Sequence, residues 1–153
     1  MNPWNLAGAL LAVATGVLLP LQALINAQLG QRTSGALFAS FASFLVGTFV
    51  LGVALLATRT SMPSLQQGAG VPAWAWTGGA IGALFVLSAT VLVPRLGAAA
   101  LICLAVFGQL VGSLLLDHFG VLHAPKPADA MRIAGAALVA VGALMVVRPW
   151  QAS

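Results

Sequence analysis

Charged side chains interrupt this chain only at long intervals. None occurs from Met1 to Gln31, and after Arg32 the next are Arg59, Arg95 and Asp117. Between them lie apolar runs without the strict alternation of a half-buried strand. A helix needs roughly 20 mostly apolar residues to cross a bilayer. Five segments reach that length, at about 4–29, 35–57, 73–93, 97–116 and 129–147. The stretch TRTSMPSLQQGAGVP between the second and third is polar, rich in Gly and Pro, and reads as the longest loop. PRLG at 94–97 reads as a tight turn, with Pro94 ending one helix and Gly97 opening the next. DHFGVLHAPKPAD at 117–129 is the other substantial loop, and Asp129 is placed to cap the fifth helix. An open sheet leaves backbone groups unpaired in lipid, and these runs are too long for barrel strands.

Composition sharpens this picture. Of 153 residues, 61% are hydrophobic and 5% charged, against about 25% charged in a soluble domain. Eight charges cannot give a chain of this length a water-compatible surface. The pattern therefore predicts an all-α integral membrane protein, one domain over 1–153, with five transmembrane helices and the lipid bilayer as its surroundings. The first segment is too long for a cleaved signal peptide, and no basic residue precedes it. The net charge of +4 comes from scattered single residues, which argues against a nucleic-acid partner. Trp4, Trp74, Trp76 and Trp150 all fall near segment ends, as an aromatic belt at the headgroup level would have them.

Five spans put the two termini on opposite sides. One side then carries Arg59, Lys126 and Arg132, the other Arg32, Arg95 and Arg148. Orientation normally follows an excess of Lys and Arg on the cytoplasmic side, and here the sides are equal. One reading is that a subtler signal selects a single orientation. The sharper one is insertion both ways, with two copies paired antiparallel into a ten-helix inverted repeat. Small residues support close helix packing, which must replace the hydrophobic drive that lipid removes. Gly78 and Gly82, and Gly108 and Gly112, have GxxxG spacing, and Ala39, Ser43 and Gly47 form a stripe in the second span.

The first span contains LLPLQALINAQLG. Pro20 has no N–H, so the carbonyl of Gly16 loses its helical partner. This predicts a bent or partly broken helix, with Gly16 and Pro20 as its hinge. Thr15, Gln22 and Asn26 share one face. The fourth span offers Gln109 and Ser113, again four apart, while Ser40 and Ser43 lie on the second and Ser88 and Thr90 on the third. Polar groups in lipid need partners. They serve either as interhelical glue or, taken together, as a substrate path in which Gln22, Asn26, Gln109 and Ser113 bind a solute.

Other chemistry is sparse. The lone Cys103 reads as a small core residue, and no disulfide framework exists. His118, His123, Asp117 and Asp129 cluster in sequence, but without Cys or a third His this spacing argues against a metal. No phosphate-binding glycine loop and no nucleophile arrangement appears, so neither ATP hydrolysis nor an enzyme is expected, and no cofactor. No Asp or Glu lies inside a span. Asp117, at the end of the fourth, is the nearest carboxylate. It reads as a loop anchor or as a proton-titrated gate, offset by Arg132, His118 or Arg95.

The segments LPLQALINAQLG, SFLVGTFVL, GGAIGALFVLSATVLVPRLGAAA, GQLVGSLLLDHFG and RIAGAALVAVGALMVVRP follow one another in an order that resembles the YdcZ family of the drug/metabolite transporter superfamily, over nearly the whole chain. The resemblance implies an EamA/DMT-like five-helix half-transporter in a bacterial-type inner membrane. Such chains are expected as dual-topology single proteins, oppositely oriented pairs or fused ten-helix forms. The family pattern falls on Pro20, Gln22, Asn26, Gly47, Gly78, Gly79, Gly82, Pro94, Arg95, Gly97, Gly108, Gln109, Ser113, Asp117, His118 and Gly120. The expected function is secondary transport, as an exporter, of a small polar or weakly charged solute by an antiparallel homodimer. An ion or solute channel and a non-transporting assembly partner are the alternatives.

Overall fold

A computed structural model describes residues 3–147. Its elements are α1 (Pro3–Arg32), α2 (Ala36–Ala57), the short α3 (Leu65–Ala69), a 3-10 turn (Ala73–Thr77), α4 (Gly78–Leu96), α5 (Ala98–Phe119) and α6 (Ala130–Val147). Five are long and apolar enough to cross a membrane: α1, α2, the 3-10 turn continued by α4, α5 and α6. Arg148 and Trp150 lie outside the described residues.

Three local expectations change. The helix is not broken at Pro20, since α1 is helical from Pro3 to Arg32. One missing hydrogen bond leaves the neighbouring turns intact, and a transmembrane helix tolerates that. Pro94 does not end its helix either, because α4 continues to Leu96. The turn that follows is the single residue Gly97, whose φ of 78° suits glycine. The long polar loop is also partly structured. Ser64 accepts from the Gln67 N–H while Gln67 Oε1 accepts from the Ser64 N–H, closing a capping box around α3. The S-x-x-Q spacing was visible in the sequence.

The chain divides into two compact units, Met1–Pro94 and Arg95–Ser153. In the first, α1 and α2 form a hairpin through a three-residue turn. A Cβ on Gly30 would stand 3.2 Å from the Gly35 carbonyl carbon and the Ala36 nitrogen, so a side chain there would push the helices apart. Gly35 turns the chain at φ 103°, which a side chain would strain. The buried positions are small: Ala23, Ala27, Ala39 and Ala89, with Val93. Large residues point outward, as with Leu11 and Val17 at 66% exposed and Phe49 at 72%. Water would penalise this arrangement, whereas lipid favours it, because lipid tails solvate Leu as well as a core does. Trp74 and Trp76 are exposed in the 3-10 turn that enters α4.

In the second unit α5 and α6 form another hairpin, joined by residues 120–129. The Val121 N–H reaches the Leu116 carbonyl at 2.9 Å and the Gly120 N–H the Asp117 carbonyl at 3.2 Å, a Schellman end with Gly120 left-handed at φ 64°. Asp129 caps α6 as expected: its Oδ1 accepts from the Arg132 N–H at 2.8 Å.

Candidate functional site

On α1 the buried positions Ala23, Asn26, Ala27 and Gly30 follow i, i+3, i+4, i+7 spacing and form one narrow face. Asn26 is the only polar side chain in it, 4% exposed, and its Nδ2 has no hydrogen-bond partner among the described residues. A buried donor without a partner costs about 1–3 kcal/mol. Gln22, one turn earlier, is exposed, as is Gly16, and Pro20 is half-buried. The polar side of α1 therefore runs from an exposed carboxamide to a buried one. A Cβ on Gly16 would meet nothing within 4 Å.

Ser40 of α2 and Thr90 of α4 are the other buried polar residues among those described. Ser40 Oγ donates to Thr90 Oγ1 at 3.4 Å, a long bond, while Thr90 Oγ1 donates to the Val86 carbonyl at 2.8 Å. These two hydroxyls join α2 to α4 directly. An apolar groove of about 520 Å³ opens beside them, lined by Leu37, Ser40, Phe41, Phe44, Ala83 and Leu84 among others.

In the second unit Gln109 and Ser113 are both exposed on α5. Ser113 Oγ donates to the Leu110 carbonyl at 2.9 Å, so its hydroxyl can offer a solute only its lone pairs. A second groove, about 400 Å³, is lined by Val111, Leu115, His118, Phe119, Ala128 and Ile133 among others. Gln22, Asn26, Gln109 and Ser113 line neither of these two grooves.

The glycines of the small-residue stripes separate into two groups. Gly82 packs against the Phe44 ring, where a Cβ would stand 3.5 Å from Cζ. Around Gly47, Gly78, Gly108 and Gly112 a Cβ would meet nothing within 4 Å. The glycine most tightly enclosed in the first unit is Gly30, whose place in no GxxxG pair hid it from spacing.

Asp117 sits at the hub of the α5–α6 loop. Its carboxylate lies 3.1 Å from His123 Nε2 and 3.7 Å from Arg132 Nη1, and its backbone carbonyl accepts from the Lys126 N–H at 2.8 Å. Arg132 was an expected partner and is found there. His118 turns instead to the loop, its Nδ1 accepting from the Ala128 N–H at 3.3 Å. Arg95 precedes α5 and Asp117 closes it, so about 30 Å of helix separates them. His123 Nδ1 donates to the Ala124 carbonyl at 2.7 Å. The sequence set His123 in one loop cluster with Asp117 but did not name it as a charge partner of that carboxylate.

Five apolar helices with small residues inside, large ones outside and amides within the spans mark a multi-pass membrane protein. The chain belongs to the YdcZ family: the family model described as "Putative inner membrane exporter, YdcZ" matches residues 7–145. The inner membrane protein YdcZ of Escherichia coli (strain K12) is 33% identical over 138 residues, covering 89% of this chain and 91% of that protein. No solved structure matches. The protein is thus a membrane transporter of the inner membrane, built on the five-helix plan of this family, with a small-molecule substrate and the bilayer as its surroundings.

Proposed function

We propose that the protein is a secondary transporter exporting a small polar or weakly charged solute, and that it works as an antiparallel dual-topology homodimer by alternating access. The observation that carries this reading is the state of the carboxamides. Gln22 and Gln109 stand exposed within their spans, and Asn26 is buried with an unused donor. At membrane depth an exposed carboxamide needs water, a solute or a second chain. On this reading Gln22 and Asn26 on α1, and Gln109 and Ser113 on α5, contact the solute. Gly16 and Pro20 give α1 its hinge, and Asp117 anchors or gates the α5–α6 end.

Two further features support a pair of copies. Open faces at Gly47, Gly78, Gly108 and Gly112 leave room for close approach of another helix. The equal split of basic residues supports insertion both ways. The test is flux in proteoliposomes. Gln22→Leu, Asn26→Leu and Gln109→Leu are expected to abolish transport while folding and dimerisation persist. Gln22→Glu should give transport a new pH dependence. Normal transport by all four variants would leave the amides as packing. Reporter fusions at Ser153 should be active on both sides of the membrane. A single-facing population that transports normally would remove the antiparallel pair.

A further inference from the structure

The side chains inside the spans define what charge the solute can carry. In α1, α2, α4 and α5 the charged and histidine side chains stand only in last turns, Arg32 in α1, Arg95 in α4 and Asp117 with His118 in α5, and across 4–29, 35–57, 73–93 and 97–116 there is none. In the fifth span Asp129 caps α6 and Arg132 turns toward Asp117, both at one end. In the middle of these spans a charged solute would meet no counter-charge, and a lone charge in a low-dielectric interior is strongly disfavoured unless paired.

The neutral polar groups have a definite distribution of hydrogens. Thr15, Thr48, Thr90 and Ser113 each donate their hydroxyl hydrogen to a carbonyl of their own helix. Ser40 gives its hydrogen to Thr90. What those hydroxyls have left is acceptor lone pairs. Asn26 Nδ2, by contrast, is a buried donor with no acceptor. Each carboxamide carries N–H donors and a carbonyl acceptor, and the hydroxyls add acceptor lone pairs, so the spans present both kinds of group to a solute bearing both on an uncharged frame.

We infer that the transported solute carries no net charge and is recognised through hydroxyl or amide groups, so that its movement is not itself electrogenic. This rests on the transport reading above and narrows it. The test uses three six-carbon probes of similar skeleton: sorbitol, gluconate and N-methylglucamine, which are neutral, anionic and cationic. They are joined by acetamide as a neutral amide and tetraethylammonium as a second cation. In proteoliposomes of the full chain, a neutral probe should move about tenfold faster than its charged counterparts, at a rate unchanged by an imposed membrane potential. Gln22→Glu, at an exposed position that should not disturb folding, supplies the missing counter-charge. It should raise N-methylglucamine flux relative to sorbitol. Faster movement of a charged probe by the unaltered protein, or flux driven by the potential, would overturn the inference and leave the transporter reading standing. Flux of no probe above empty vesicles would count against the transporter reading and withdraw the inference with it.

Discussion

The α1–α2 hairpin closes through three residues, the α5–α6 hairpin through ten. In the first, contact is made within the span by small residues, Ala23, Ala27, Gly30 and Ala39. No charge takes part. In the second, only Ala100, Leu101 and Ala143 are buried among the described residues, and the loop itself is organised by Asp117, His123, Arg132 and the Asp129 cap. Both hairpins pack along their helices, and the second is in addition tied at its end by polar contacts. The difference follows from the solvent at each place. Inside lipid, backbone proximity brings dispersion without desolvating anything. At the membrane surface, charged groups stay hydrated while they pair.

Five substitutions sharpen this comparison. The largest effect is expected at Gly120, where a Cβ would stand 2.6 Å from Pro125 Cγ and 2.9 Å from its nitrogen, at left-handed φ. Gly120→Ala should destabilise the protein by roughly 2–4 kcal/mol, read as a lowered thermal midpoint in detergent. Next is Asn26→Leu, whose sign is opposite. Removing an unsatisfied buried donor should stabilise by about 1–3 kcal/mol provided the larger side chain fits, while transport is lost. A destabilised Asn26→Leu that still transports would make this residue a packing element.

Gly30→Ala should cost about 1 kcal/mol, the clash with Gly35 and Ala36 outweighing the helix-propensity gain of about 0.5–1 kcal/mol. Gly47→Ala is its control: with open space around it, the same gain should appear as stabilisation of a monomer. Loss of dimer on a crosslinking gel from Gly47→Ala would show a partner helix on that face. The smallest effect is expected at Asp117, whose side chain is 37% exposed. Asp117→Asn should cost no more than about 1 kcal/mol after solvent screening. A large loss there would mean that the ends of α5 and α6 depend on charge pairing more than on the caps.

The number, type and approximate limits of the spans were legible in the sequence, because lipid demands long apolar helices and charged residues interrupt them. Asp129 as a cap, Gly97 as a turn and Arg132 as a partner of Asp117 were legible for the same kind of local reason. Pro94 was over-read as a helix end and Pro20 as a break, since a proline deletes one hydrogen bond while the turns around it can persist. Which small residues would pack could not be read from spacing, because Gly47 lies in a small-residue stripe yet stands open, while Gly30 lies in no GxxxG pair yet meets the returning backbone. Pattern likewise places Gln22 and Asn26 on one helical face but cannot say that one is exposed and the other buried. That decision belongs to the docking of α2 on α1, where Gly30, Gly35 and Ala39 determine how closely two backbones approach. The sequence by itself determined a five-helix membrane chain with uncharged, amide-bearing spans. Only the tertiary structure decided which amide lost its water without gaining a partner, because burial depends on contacts between residues far apart in the chain.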